Sequence, residues 1–393
     1  MQPTVRDHAL ADGLRVGQAA VEEGLLRATK SDVPFITEAA RELTRTAGRR
    51  LRPLLVLLAA RFGDPGAPGV VPAAVVVELT HLATHYHDDV RDEAAVRRDA
   101  PRPDANWDNT VAVLTGDFLF ARASHILADL GPEAVRIQAQ AFRRQVTGQI
   151  LETAGPCEGR DPVEHHLDVL ASRTGSLTAV SGRLGALASG ADPSVADALA
   201  RYGERLGVAS HLADEVAAPT ARRPTLPVLL LAGAADPADR ELHELLTGPA
   251  ERAGHAEAVG HAEAVGHAEW AGHAEAVGHA ERAGHAEAVG HAERAGHAEA
   301  VGHAEWAGHA EAVGHAEWAG HAEAVGHAEW AGHAEAVARL RTHPVLDRAR
   351  EETARQADAA RAALSTLPGC PARDVLESLC ETVVAPTAPS SCG

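Results

Sequence analysis

Between Gly254 and Val337 the chain repeats one six-residue unit fourteen times: Gly-His-Ala-Glu followed by Ala-Val, Trp-Ala or Arg-Ala. This tract removes 84 of the 393 residues from any conventional core. Six residues turn an α-helix by about 600°, so the histidines return to one face only every third unit and no apolar stripe forms. Each unit also carries a glycine, which costs about 0.8–1 kcal/mol relative to alanine inside a helix. In favour of a helix, each glutamate precedes the next histidine by four residues, as Glu257 precedes His261. A hexapeptide β-helix fits poorly, because six of the units carry Ala in place of Val, and Ala and Glu suit strands badly. The tract is therefore expected to be an exposed, partly helical or disordered excursion.

The tract also distorts the composition. It holds 14 of the 24 histidines, and its fourteen glutamates against two arginines account for −12 of the net charge of −19. The other 309 residues carry only −7 and suffice for one large domain. The overall acidity thus says little about the partner of the folded part, and no nucleic-acid partner is expected. The histidines could take Zn²⁺ or Ni²⁺, though their spacing matches no fixed site. Protonating them moves the tract from −12 to +2 near pH 6–7. The favoured account is expansion of a short DNA repeat tolerated in a surface loop.

Outside the tract the apolar residues recur at three- and four-residue spacing. This predicts helices over 7–26, 36–47, 72–90, 110–129, 132–153, 163–184 and 195–216. An apolar helix follows Arg52, and two amphipathic helices, 338–363 and 373–384, follow the tract. Gly and Pro gather at 63–69, 99–104, 154–162 and 190–193, between the helical stretches. No convincing alternating strand is present. The expectation is an all-α, multi-helix bundle formed by 1–247 and 338–393, interrupted by a low-complexity insertion at 248–337. No run approaches 18 consecutive apolar residues, so no transmembrane segment is expected. The first residues lack a basic start followed by an apolar core. The four cysteines are too scattered for a disulfide framework. A reduced, cytoplasmic protein is the default.

The strongest chemical signal is His81-Leu-Ala-Thr-His85-Tyr-His-Asp88-Asp89-Val-Arg-Asp92-Glu93. On a helix Asp88 and Asp92 share a face with His81, Thr84 and His85. Two carboxylates so placed repel each other, and a divalent cation relieves the repulsion. Oxygen-only ligation suits Mg²⁺, which keeps waters and shares substrate phosphates. Basic residues flank the motif: Arg49, Arg50 and Arg52 precede an apolar helix, and Arg97-Arg98 begin five residues after Asp92. Arginine forks bind phosphate oxygens in pairs, so the combination reads as a diphosphate site.

Together these pieces resemble the all-trans polyprenyl diphosphate synthase family. The matching stretches are Gly48–Pro53, the Asp88-Asp89-x-x-Asp92 motif, Arg97-Arg98, Gly116-Asp-Phe-Leu119, Gly148-Gln149, Arg173-Thr174-Gly-Ser-Leu177 and Tyr202-Gly-Glu-Arg-Leu-Gly207. The resemblance implies an isoprenoid-synthase bundle with a central substrate cavity. It implies a Mg²⁺-dependent condensation of isopentenyl diphosphate with an allylic diphosphate into a longer all-trans chain, and a homodimer. On that likeness Asp88 and Asp92 would hold Mg²⁺ with Asp89 in support. Arg97 and Arg173, the latter in place of the family's lysine, would bind the allylic diphosphate. Arg49, Arg52, His81 and Arg98 would bind the isopentenyl diphosphate, with Gln149 and His211 also on the substrate side. Thr174 would lie near the reacting carbons. The small Ala83 and Thr84, just upstream of Asp88, would leave the cavity floor open and favour a longer product.

The likeness weakens at the second acidic motif. Asp214 matches its first carboxylate and Glu215 replaces the second, so both are candidate metal ligands. The third is Ala218, His211 stands where the family has glutamine, and the following lysine is absent, with Arg222 or Arg223 as substitutes. Three readings fit: a slower synthase, an inactive subunit or scaffold of a synthase complex, and a divergent terpenoid-forming relative. The first is preferred, because Asp214 and the whole first site persist.

Overall fold

The structure, a computed structural model, describes residues 5–46, 50–96, 109–219, 224–247 and 335–385, with the backbone alone at 42–46 and 89–96. Among the described residues every regular element is helical, as the periodicity predicts. In chain order the helices are α1 (His8–Ala28), α2 (Pro34–Thr46), α3 (Leu51–Ala59), α4 (Val70–Val96), α5 (Asn109–Leu130), α6 (Pro132–Ala154) and α7 (Pro162–Leu170). They continue with α8 (Ser176–Ala188), α9 (Pro193–Ala217), α10 (Leu226–Ala232), α11 (237–247), α12 (335–340), α13 (Val345–Ala363) and α14 (Pro371–Val384).

The punctuation follows simple local chemistry. Asp7, Asp161 and Asp192 cap α1, α7 and α9 by accepting backbone N–H bonds from Leu10, Val163 and Ser194. Proline opens α6, α7, α9 and α14, where its missing N–H costs nothing. The single helix expected over 338–363 is instead two, because Pro344 cannot donate to the ladder and separates α12 from α13. α10 and α11 are additions the periodicity did not single out.

The chain divides into two compact units, Met1–Ala218 with Asp347–Gly393, and Pro219–Leu346. In the larger unit two apolar clusters form the interior. One joins α1, α3, α9, α13 and α14 around Leu58, Leu199, Tyr202, Leu206 and Leu379; the other joins α1, α3, α4, α5, α6 and α8 around Leu25, Val56, Leu79, Leu82 and Leu119. Burying side chains of this size stabilises by about 1.5–3 kcal/mol each. Tyr202, fully enclosed, donates its hydroxyl to Leu376 O at 2.7 Å and so ties α9 to α14.

Glycines let the central helices touch. A Cβ at Gly182 of α8 would stand 2.6 Å from Leu199 O of α9, and one at Gly203 of α9 would stand 2.4 Å from Thr178 O of α8. The smaller unit has its own cluster of Val228, Leu231, Leu242, Leu246, Ala336, Leu340 and Val345. Of the repeat tract, only its last three residues fall within the described residues; they open α12, and Ala336 is buried. The rest of the tract lies outside them.

By length and composition alone one described helix, α5, is long and apolar enough to cross a membrane, with a mean hydropathy of 1.3 over an 18-residue window, a test that core helices also pass. The interspersed small and polar residues hid this from a count of consecutive apolar positions. Here α5 sits beside α4 and α6 with Leu119, Ala123 and Leu127 buried.

Candidate active site

The site begins with α4. Its turns carry Glu78, His81, Ala83, Thr84, Asp88, Asp89 and Asp92 in succession. The backbone is helical through Val96, so Asp88 and Asp92 lie one turn apart on one face, as their spacing predicts. The side chains of Asp89 and Asp92 lie outside the described residues, as do Arg49, Arg97 and Arg98.

Asp88 is held from two directions. Gln149 Nε2 of α6 donates to Asp88 Oδ1 at 2.6 Å. Arg173 donates through Nη2 to Asp88 Oδ2 at 3.1 Å, and through Nη1 to both Glu152 oxygens at 2.6 Å. Gly148 makes this possible. A Cβ there would stand 2.8 Å from Ser172 Cβ and 3.1 Å from Arg173 N, so only glycine lets α6 approach this closely. Arg173 and Thr174 themselves lie in a wide π-type turn, Ala171–Gly175, that joins α7 to α8. Such turns insert an extra residue into the helical register and recur at functional sites.

A second group surrounds the start of α3. Arg52 is half-buried, and its Nε, itself buried, has no hydrogen-bond partner. Burial lowers its pKa, against the opposing charge of Glu78. His81 is nearby and titrates well below the usual histidine range. Burial is the main cause, and the charges of Arg52, His85 and Arg50 add to it. It therefore stays neutral, its ring set edge-on to His85 with centroids 4.3 Å apart. Arg50, from the same basic run, is taken by carboxylates: it donates to Glu78 Oε1 at 2.7 Å and also pairs with Glu22.

The third group is on α9. Glu215 is buried, with its carboxylate oxygens 3.0 and 3.3 Å from His166 Nε2 of α7. His211 Nε2 lies 3.5 Å from Glu215 Oε1, and His211 Nδ1 lies 3.4 Å from Thr174 Oγ1. Burial raises the Glu215 pKa, but the hydrogen bonds and charges of the two histidines outweigh it and lower the value to about 2. Asp214, on the next position, is exposed at its surface yet raised, chiefly by burial, with His211 opposing and the Glu215 charge adding. Among the described residues no three carboxylate, imidazole or thiol groups converge as a ready-made metal cage.

Of the residues singled out from sequence, the structure brings together Asp88, Gln149 and Arg173, then Thr174, His211 and Glu215, then Arg52 and His81. Ala83 is fully buried with its carbonyl facing Gly116, and the Thr84 hydroxyl donates to Thr80 O at 2.9 Å. Sequence reasoning missed Glu78, Glu152 and His166. Glu152 could have been found as the residue one turn beyond Gln149, whereas nothing local marked His166 as the partner of a residue 49 positions away.

The fold and the site define a class: a helical bundle that presents carboxylates and arginines on facing helices. The sequence pattern of the polyprenyl synthetase family matches residues 33–222. The chain is 44% identical over 211 residues to a nonaprenyl diphosphate synthase of Mycobacterium tuberculosis, covering 53% of this chain and 63% of that one. It is 36% identical over 250 residues to a dimethylallyltranstransferase of the same organism, covering 58% and 77%. The chain thus spans less than two thirds of the first of these relatives and about three quarters of the second. Among solved structures it resembles a geranylgeranyl pyrophosphate synthase from Corynebacterium glutamicum complexed with calcium and isoprenyl diphosphate. The TM-score is 0.68 at 29% identity, over 97% of this chain and 98% of that one. The chain belongs to the polyprenyl synthetase family.

Proposed function

We propose that this chain is a prenyltransferase that joins isopentenyl diphosphate to an allylic diphosphate and releases a longer all-trans polyprenyl diphosphate. The observation that carries this reading is the Asp88 carboxylate, fixed by Gln149 and Arg173 one helical turn before Asp92, in a chain of this family. The donor set is all oxygen and incomplete by itself, which fits a hard divalent cation, Mg²⁺, that draws its other ligands from diphosphate and water. When bound, the metal neutralises charge on the departing diphosphate.

The residues divide the remaining work. Asp88, Asp92 and Asp214 hold the metal, with Asp89 supporting the first pair and Glu215 adjoining the last. Arg97 and Arg173 orient the allylic diphosphate, and Gln149 keeps Asp88 in place. Arg49, Arg52, His81 and Arg98 grip the isopentenyl diphosphate. The orphaned Nε of Arg52 is the kind of buried donor that a phosphate oxygen satisfies. The allylic C–O bond then breaks with its electron pair leaving on diphosphate, the isopentenyl double bond attacks the cation, and a proton is lost.

Four finer points follow. The second acidic motif is reduced, with Ala218 in place of a carboxylate, so turnover is slower than three carboxylates and a lysine would allow. The unmatched ligands also support the rival reading of a non-catalytic subunit. Small Ala83 and Thr84 favour a product longer than three isoprene units. A homodimer is supported by the apolar residues that α5 and α6 leave uncovered, with Leu114 61% and Ile150 62% exposed. We place the protein in a reducing cytoplasm, in keeping with the free Cys157, Cys370 and Cys380. The test is incubation of purified protein with Mg²⁺, labelled isopentenyl diphosphate and primers of several lengths. Elongated product supports the enzyme, and no product with any primer supports the subunit reading. Ala83→Phe should shorten the product.

A further inference from the structure

We infer that a groove away from the proposed catalytic residues is a second anion site, for a phosphate or diphosphate group, free or at the head of a small organic molecule. The inference goes beyond the prenyl-transfer reading and does not depend on it. The groove lies within the larger unit, is lined by α6, α8, α9 and α13, and encloses about 730 Å³, the size of a small-ligand pocket. None of the residues assigned above to metal or substrate lines it. Its walls carry four arginines, Arg144, Arg183, Arg201 and Arg205, against two carboxylates, Asp197 and Glu204. Both carboxylates are taken. Glu204 accepts from Arg144 at 2.7 Å, and Asp197 pairs with Arg183. Arg201 and Arg205, one helical turn apart on α9, are left without a carboxylate partner among the described residues.

Two like charges at i and i+4 oppose a helix, and an anion between them turns that cost into attraction. The pair is also partly built in advance. Arg205 Nη1 donates to Gln356 Oε1 at 3.0 Å, and Gln356, buried in α13, is itself fixed by donating to Glu352 Oε1 at 2.7 Å. That anchors one end of the guanidinium and leaves its other N–H donors for a ligand. An arginine held this way loses less freedom on binding than an untethered surface side chain. Guanidinium forks match the paired oxygens of a phosphate, which decides the charged group of the ligand. Buried Ile137 and Ala141 of α6 and Val180 of α8 supply carbon surface for an apolar body beside it.

The first test uses the unaltered full chain with divalent metal chelated. Phenylglyoxal labels exposed arginines, and mass spectrometry follows each one separately. Inorganic diphosphate or geranyl diphosphate, at about ten times its dissociation constant, should slow labelling of Arg201 and Arg205 by about tenfold and leave the exposed Arg15 of α1 unaffected. Unchanged labelling of Arg201 and Arg205, or equal slowing at Arg15, would overturn the site. Geranyl diphosphate acting at lower concentration than the inorganic anion identifies an organic ligand, and equal potency identifies the free anion. The second test counts sites by calorimetric titration with geranyl diphosphate. Arg201→Gln and Arg205→Gln should each weaken the groove site by about tenfold, and the double variant should remove one site per chain. Arg15→Gln, with the same change of charge, should leave the count intact. An unchanged count in the double variant, or an equal loss in Arg15→Gln, would overturn the proposal. A chain that makes no polyprenyl product but keeps the groove site leaves this inference standing while the prenyl-transfer reading fails.

Discussion

The Arg173 guanidinium bridges Asp88, at 3.1 Å, and Glu152, at 2.6 Å, with only 12% of the arginine side chain exposed. It offsets the repulsion between two carboxylates by pairing with both. The pairs are partly buried, so removing the arginine costs more than the ~1 kcal/mol of an exposed ion pair and less than the ~3–5 kcal/mol of a fully buried one. Arg173→Met should therefore lower kcat by at least about a hundredfold and reduce the melting temperature. Arg173→Lys keeps the charge but loses the fork, and should fall by about tenfold. Steady-state kinetics with labelled isopentenyl diphosphate, beside thermal melts, separates the two effects.

The α8–α9 crossing depends on the absence of side chains at Gly182 and Gly203. The atoms a new Cβ would meet are backbone, which cannot swing aside. Gly203→Ala should destabilise the protein by about 1–3 kcal/mol through overpacking. Gly233→Ala, where a Cβ would meet nothing within 4 Å, serves as the control. Chemical denaturation of both variants measures the difference.

Glu215 links stability to acidity. Its folded pKa of about 2 lies below the reference value of 4.5, so the contribution is fully present above the reference value. It is lost as pH falls from about 4.5 toward about 2, where the unfolded state binds the proton first. Glu215→Gln should flatten this part of the stability profile while leaving the slope elsewhere unchanged. Denaturation midpoints collected across that range check the sign.

Thiol chemistry gives an independent check on the packing. Cys157 is exposed, whereas Cys380 is buried in α14, and burial raises its pKa to about 11. The thiolate is the reactive form, so Cys157 should be alkylated in the native protein and Cys380 only after unfolding. Mass spectrometry of trapped peptides distinguishes them.

Much of the fold was legible because helical periodicity, capping aspartates and N-terminal prolines agree locally. The proximity of Asp88, Gln149 and Arg173 follows short ordered motifs legible in the sequence, with Arg173 in place of the lysine that the resemblance implies. What escaped was set by tertiary approach. Arg50 looked like Arg49 and Arg52 in sequence, yet Glu78 and Glu22 claim it. The partner of Glu215, His166, comes from α7 with no sequence signal. α5 likewise hid its apolar character among alanines and polar residues.

The most direct test of the central claim compares wild type with Asp88→Asn, supplied with Mg²⁺, an allylic diphosphate and labelled isopentenyl diphosphate, with products resolved by chain length. The account predicts an elongated all-trans polyprenyl diphosphate from the wild type and a loss of about a thousandfold or more in the variant, equivalent to about 4 kcal/mol of lost transition-state stabilisation. Undiminished elongation by Asp88→Asn, or no elongation by the wild type with any primer, would contradict it.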